Sequence, residues 1–208
     1  MFNACFYKPA LLARDIAAMQ DLTGGRFEAG LGAGYVEAEF DAAELPFPSA
    51  GKRVEYLAHV TTYLRTNRPD VPVMIAGAGD KLLTVAAQQA QIIGLTGGRP
   101  TPDNPDPLAE RISFVRNAAG PRFDELELNI AITAVPTDDS GIPNLSITRR
   151  FLPDLSDEEL LKTPGVFTGT AADIAVRVRR LRDQYGISYI IVQQQHCEAF
   201  AKVIAELR

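Results

Sequence analysis

Five short apolar runs recur along the chain, each followed by a helical stretch, and the first three end in glycine-rich turns. The runs are RFEAGLG (26–32), VPVMIA (71–76), IIGLT (92–96), LELNIAITAV (126–135) and ISYIIV (187–192). They are rich in β-branched residues and nearly continuous in apolar character, the pattern of strands covered on both faces. Strands alternating with helices imply right-handed crossovers and a parallel sheet. Two architectures satisfy this order: an open doubly wound sheet, or part of a (β/α)8 barrel. Periodicity does not choose between them.

The helices have legible ends. Pro9 opens a helical pattern carried by Leu11, Leu12, Ile16, Met19 and Leu22, and Thr23-Gly24-Gly25 stops it. A second helix is predicted over about 51–66, after a loop rich in Pro, Ala and acidic residues (37–49). Asp80 is expected to cap the next. Asp106 followed by Pro107 starts another, which ends near Gly120. Ser156 with Glu159, and Thr170 with Asp173, read as helix N-termini, the first pair as a capping box. A last helix covers 198–208. With no repeats and no low-complexity linker, residues 1–208 are expected to form a single domain.

Composition narrows the function. A formal net charge of -5, with Lys and Arg scattered, leaves no electrostatic footprint for nucleic acid. Two cysteines, Cys5 and Cys197, lie far apart without metal-ligand spacing, so neither a disulfide framework nor a metal site is expected. No apolar run approaches the roughly 18 residues of a membrane span, and the N-terminus lacks a signal-peptide pattern. A cytoplasmic location is the expectation.

The chemistry-bearing features are glycine turns. Gly30-Leu31-Gly32-Ala33-Gly34 ends one strand, where backbone N–H groups can approach a ligand without Cβ obstruction. Tyr35 stands where a dinucleotide fingerprint needs its third glycine, so that fingerprint fails. Gly77-Ala78-Gly79-Asp80 ends the next strand at a helix N-terminus, and Thr96-Gly97-Gly98-Arg99 ends the third. Turns after consecutive parallel strands share the C-terminal face and together suit a phosphate-bearing ligand. His59 falls inside a helical pattern and reads as a surface or packing residue. His196 follows the last strand, where a ligand contact competes with a capping or solvent-exposed role. Cys197 has no positioned base, and Glu37 and Glu39 read first as a solvated acidic loop. No catalytic residue emerges.

These segments resemble a known family, the luciferase-like monooxygenases. LLARDIAAMQDLTGGRFEAGLGAGYVEAEF is similar to the family's helix and fourth barrel strand with its glycine turn. PVMIAGAGDKLLTVAAQQAQIIGLTGG is similar to the fifth and sixth strands, and GTAADIAVRVRRLRDQYGISYIIV to the last strand-helix units. Within the family the chain looks closest to the branch that uses the deazaflavin coenzyme F-420. The resemblance implies an incomplete TIM-type (β/α)8 barrel with about five parallel core strands, equivalent to the fourth through eighth.

It also implies a cofactor at the C-terminal face, F-420 or alternatively FMN, and an oxidoreductase acting on a small-molecule substrate by hydride transfer or monooxygenation. By position, Ala33 and Gly34 match residues lining the cofactor, Glu39 lies in the following polar loop, and Gly77, Ala78 and Gly79 match the phosphate cradle. Gly97, after the sixth strand, joins them. Met1–Asn3 aligns with the end of the third barrel strand, so the first strand-helix units have no counterpart. An open barrel exposes sheet edges, and a homodimer or a partner chain is expected to cover them. The alternatives are a degenerate relative that binds a flavin or a partner without catalysis, and a fragment of a longer enzyme.

Overall fold

The computed structural model describes residues 1–208, which group into two compact units: Met1–Gly94 with Phe114–Leu126, and Leu95–Ser113 with Glu127–Arg208. No helix is long and apolar enough to cross a membrane.

The first unit holds parallel strands β1 (Phe2–Asn3), β2 (Ala29–Gly32), β3 (Val73–Ala76) and β4 (Ile92–Leu95), the last reaching the unit's boundary. Leu31 of β2 stands opposite Phe2 of β1 and Ile75 of β3, and Ile75 opposite Ile93 of β4. Every residue of β4 is buried, as a strand covered on both faces requires. The strands are shorter than the apolar runs that announce them, because pairing stops where the turns begin. The two-residue strand β1 adds a sixth strand to the five expected.

Helix α1 (Pro9–Thr23) forms because Pro9 sits in the first turn and Leu12, Ala13, Ile16 and Gln20 make one buried stripe. Gly24 ends it in the left-handed conformation (φ +61°). The buried Gln20 amide donates to the Asp70 carbonyl (3.3 Å) and accepts from the Phe27 N–H (3.0 Å), which fixes the chain's entry into β2. Helices α3 (Ala50–Asn67) and α4 (Asp80–Gln89) match their expected positions within a residue or two.

The loop expected from 37 to 49 instead begins with a helix, α2 (Glu37–Ala42). Its anchor is Phe40, 1% exposed, whose ring meets Phe6 (4.9 Å between centroids) and Phe47 (5.0 Å) edge-on. One buried aromatic among acidic residues gives no periodicity to read, so the helix was not legible.

The second unit pairs β5 (Glu127–Ile132) with β6 (Ile187–Val192) in parallel. Beyond β5, an isolated bridge joins Ala134 to Val166, with the Phe167 N–H donating to the Ala134 carbonyl (2.9 Å). Ala134 lies in the run expected as a strand over 126–135, whereas Val166 belongs to no apolar run. Helix α5 (Pro107–Ala119) starts in this unit and finishes in the first. Three more follow before β6: α6 (Ser146–Phe151), α7 (Asp157–Leu161) and α8 (Ala171–Tyr185). Helix α9 (Cys197–Leu207) comes last.

The capping expectations hold at α7 and α8, each with a complete capping box. Asp106 caps α5 by accepting the Ala109 N–H (3.0 Å). Asp80, expected as a cap, is instead the first residue inside α4, and Gly79 takes the cap position. Phe167 and Phe200 stack in the core of this unit (6.4 Å).

Candidate functional site

Strands β2 and β3 are parallel neighbours, so the turns after them leave the same end of the sheet. The structure therefore brings Ala33 and Gly34 together with Gly77, Ala78 and Gly79 at one sheet end. Ala33 is buried, and its carbonyl lies 3.7 Å from the Cys5 sulfur that donates to it. Burial pushes the Cys5 thiol pKa up, and the Arg53 guanidinium opposes that shift.

Gly34 adopts φ +72°, and a Cβ there would fall 2.3 Å from Asn3 Nδ2. The glycine is thus required twice, by its backbone conformation and by the Asn3 amide lying against it. Asn3 Oδ1 accepts the Cys5 N–H (3.2 Å), which sets the orientation of the amide. Its Nδ2 is buried and has no hydrogen-bond partner within the protein. A buried donor left unpaired costs about 1–3 kcal/mol, so this atom marks a position where a bound acceptor would be favoured.

Arg53 on α3 holds the turn in place. Only 8% exposed, it donates from Nε to the Gly34 carbonyl (2.9 Å) and from Nη1 to the Pro48 carbonyl, with its guanidinium 4.1 Å from the Phe47 ring centroid. Tyr56, one turn further along α3, donates its hydroxyl to the Tyr7 carbonyl (2.9 Å), and burial raises its pKa. Residues 34 to 48 are in this way tied to a single helix face.

The second turn is less open than a run of glycines suggests. The Gly77 N–H already donates to the Gly94 carbonyl (3.2 Å), and a Cβ on Gly77 would meet Leu82 Cδ2 at 2.8 Å. Gly79 differs: a Cβ there meets nothing within 4 Å, and the residue offers no side chain to cap α4. The backbone N–H groups at the N-terminus of this ten-residue helix suit an anion, although the Asp80 carboxylate already occupies its first turn.

The remaining expected residues fall elsewhere. Glu39 is exposed in the first turn of α2, and Glu37 is exposed beside it. Gly97 belongs to the second unit, with φ +82° and Pro164 Cβ 3.0 Å from where its own Cβ would be. His59 is exposed, its ring 5.8 Å from that of Tyr56, as a surface residue should be. His196 takes the N-cap position of α9 without a side-chain cap bond, but it is buried rather than solvent-exposed, 4% exposed with both ring nitrogens unpartnered. Cys197 is exposed. Sequence reasoning missed Asn3 and Arg53. Asn3 had a signal, since it closes the segment aligned with the third barrel strand; a single arginine inside a helical pattern had none.

A profile of the luciferase-like monooxygenases matches residues 1–141 of the 208. The chain belongs to the luciferase-like monooxygenase family. No curated protein matches the sequence. Among solved structures, an F-420-dependent secondary alcohol dehydrogenase bearing an F-420–acetone adduct is similar, at 15% identity and TM-score 0.70, covering 97% of this chain and 76% of the dehydrogenase. EDTA monooxygenase from Chelativorans sp. BNC1 is similar at 14% identity and TM-score 0.72, with 98% and 71% covered. The F-420-dependent tetrahydromethanopterin reductase of Methanopyrus kandleri is similar at 16% identity and TM-score 0.66, with 97% and 77% covered. At these identities the likeness shows the luciferase-like α/β fold.

The site of this family member fits a phosphate-bearing flavin or deazaflavin. It offers an orphaned amide donor at Asn3, a left-handed glycine turn beside it, and a helix N-terminus after Gly79 that carries Asp80 in its first turn.

Proposed function

We propose that this chain binds a flavin-type cofactor, with deazaflavin F-420 preferred and FMN the alternative, as part of an oxidoreductase acting on a small organic substrate. The carrying observation is the buried, unpartnered Nδ2 of Asn3 against Gly34. When bound, such a cofactor supplies hydride transfer, or oxygen activation if it is FMN; the protein supplies binding and orientation. Asn3 offers its amide N–H to an acceptor on the ring, and Ala33 and Gly34 let that ring approach the backbone. The α4 N-terminus after Gly79 receives a phosphate. Arg53 acts as a positioning residue by holding the Gly34 carbonyl. Family membership and the F-420- and flavin-dependent neighbours support this reading. A homodimer, or a partner chain along the open sheet edges, completes it.

The test is a titration of the purified chain with oxidised F-420 and, separately, FMN, followed by fluorescence together with oligomeric state. Saturable binding is expected, and Asn3→Asp should weaken it about tenfold or more, since a charge-assisted acceptor replaces the needed donor. Equal affinity in wild type and Asn3→Asp would remove Asn3 from the site. Binding of neither cofactor would overturn the reading.

A further inference from the structure

The second unit contains a cleft of its own, lined by none of the residues of the turns after β2 and β3. Helix α8 forms one wall, and residues 100–108 with Lys162 and Pro164 form the other. It encloses about 510 Å³, within the range of roughly 300–1,000 Å³ typical of small-molecule sites. Three cations line it: Lys162, Arg177 and Arg180.

Arg177 is half-buried. Its Nη2 donates to the Thr163 carbonyl (3.1 Å), and its guanidinium lies 5.4 Å from the Phe167 ring centroid. Arg180, one helical turn on, donates to the Gln184 side chain (2.8 Å). Neither guanidinium is ion-paired with a carboxylate. Lys162 is paired with Glu158 (2.6 Å).

The two acids that line the cleft are engaged locally. Asp106 takes the Ala109 N–H (3.0 Å) and the Tyr185 hydroxyl (2.8 Å), and Asp173 closes the α8 capping box. Burial, with Arg180 adding to it, lowers the Arg177 pKa. A partly desolvated cation beside a like charge is unfavourable without a counter-ion, and planar guanidinium forks match phosphate and carboxylate oxygens. The cleft lining carries three cations against two carboxylates, in a chain of net charge -5. Pro105, Pro107, Leu181 and Tyr185 give the same cleft an apolar wall.

We propose that this cleft is a second binding site, for a small organic phosphate ester whose phosphate meets Arg177 and Arg180 and whose apolar body rests on Leu181, Tyr185 and the prolines. Phenyl phosphate is the probe, titrated into the full chain by calorimetry and by backbone amide NMR, with phenol as the uncharged control. Saturable binding is expected, with amide shifts at Lys162, Thr163 and 176–185. Arg180→Gln, an exposed position whose exchange leaves the fold intact, should weaken it about tenfold or more. Arg177→Lys keeps the charge but loses the fork, and should weaken it as well. The proposal is overturned by the absence of saturable binding, by equal affinity in Arg180→Gln, by phenol binding as tightly, or by shifts confined to Gly77–Leu83. The last result would place the probe on the cofactor cradle instead.

Discussion

Replacing Arg53 with methionine keeps the apolar stem of the side chain and removes its guanidinium. Two hydrogen bonds from a charged donor are lost, to the Gly34 and Pro48 carbonyls, with the stacking over Phe47. Bonds of this kind contribute about 1.5–3 kcal/mol each, and the cation over the ring about 0.5–2 kcal/mol. Against this, the variant no longer desolvates a cation, a cost of several kcal/mol in a buried site. What remains uncompensated is chiefly the pair of carbonyls left without their donor, at about 1–3 kcal/mol each. The net loss should be about 2–4 kcal/mol, which lowers the thermal midpoint by roughly 4–16 °C in a chain of this size. Urea unfolding followed by circular dichroism measures it directly. Arg53→Lys, which can reach one carbonyl but not both, should fall between. An Arg53→Met variant within about 0.5 kcal/mol of wild type, the range of ordinary surface exchanges, would refute the clamp.

Other perturbations probe separate parts of the argument. Phe40→Ala should cost about 3–5 kcal/mol by cavity formation, and an unchanged urea midpoint would show that α2 does not pack as described. Gly34→Ala should destabilise by at least about 1–2 kcal/mol through its left-handed backbone, with further cost from the Asn3 contact. Gly79→Ala, at φ -74° with nothing within 4 Å, should lose only the advantage of glycine over alanine at an N-cap, about 0.5–1 kcal/mol; thermal melts of the pair check both. Thr170→Ala should cost about 0.5–2 kcal/mol through the lost cap. Asp173 has a lowered pKa because the Thr170 hydroxyl and N–H bond its carboxylate. Its contribution is therefore present above the ordinary aspartate pKa and is lost as pH falls through the lowered one. Asp173→Asn should flatten the acid limb of the stability curve, and an unchanged acid limb would remove Asp173 from it.

The parts of the fold legible in the sequence are those written in periodic or local signals. β6 is legible with its observed bounds because Ile187–Val192 is apolar except for Ser188, and Gly186 (φ +70°) closes the helix before it. The capping boxes at Ser156 and Thr170 are contained within four residues each, so no tertiary information was needed. Helix α2 and the Val166 side of the Ala134–Val166 bridge depend on partners distant in sequence and have no local signature. The site divides the same way. Glycine turns at strand ends were visible, whereas the Asn3 amide became a candidate only once its neighbours left Nδ2 without a partner. His196 takes the N-cap position that its place after a strand suggests, but not the solvent exposure, because burial is a property no single residue encodes.

The glycines of the two turns are not equivalent, and the difference narrows where a ligand can bind. Gly77 is small because Leu82 packs 2.8 Å from where its Cβ would be, and its N–H is used within the sheet by Gly94. Gly94 in turn must be small, since a Cβ there would lie 2.5 Å from that of Ala76. These two glycines serve the close passage of β3 and β4. A bulky substitution at Gly77 therefore perturbs strand packing first, and a loss of ligand binding in that variant would not identify a phosphate contact. Gly79 carries no such packing duty and precedes the helix whose N-terminus favours an anion. With Asn3 and Gly34 on the neighbouring strand ends, the cofactor proposed above would have one donor to face and one helix end to reach. The discriminating substitution is Asn3→Asp, which keeps the shape of the side chain and the acceptor for the Cys5 N–H while removing the Nδ2 donor.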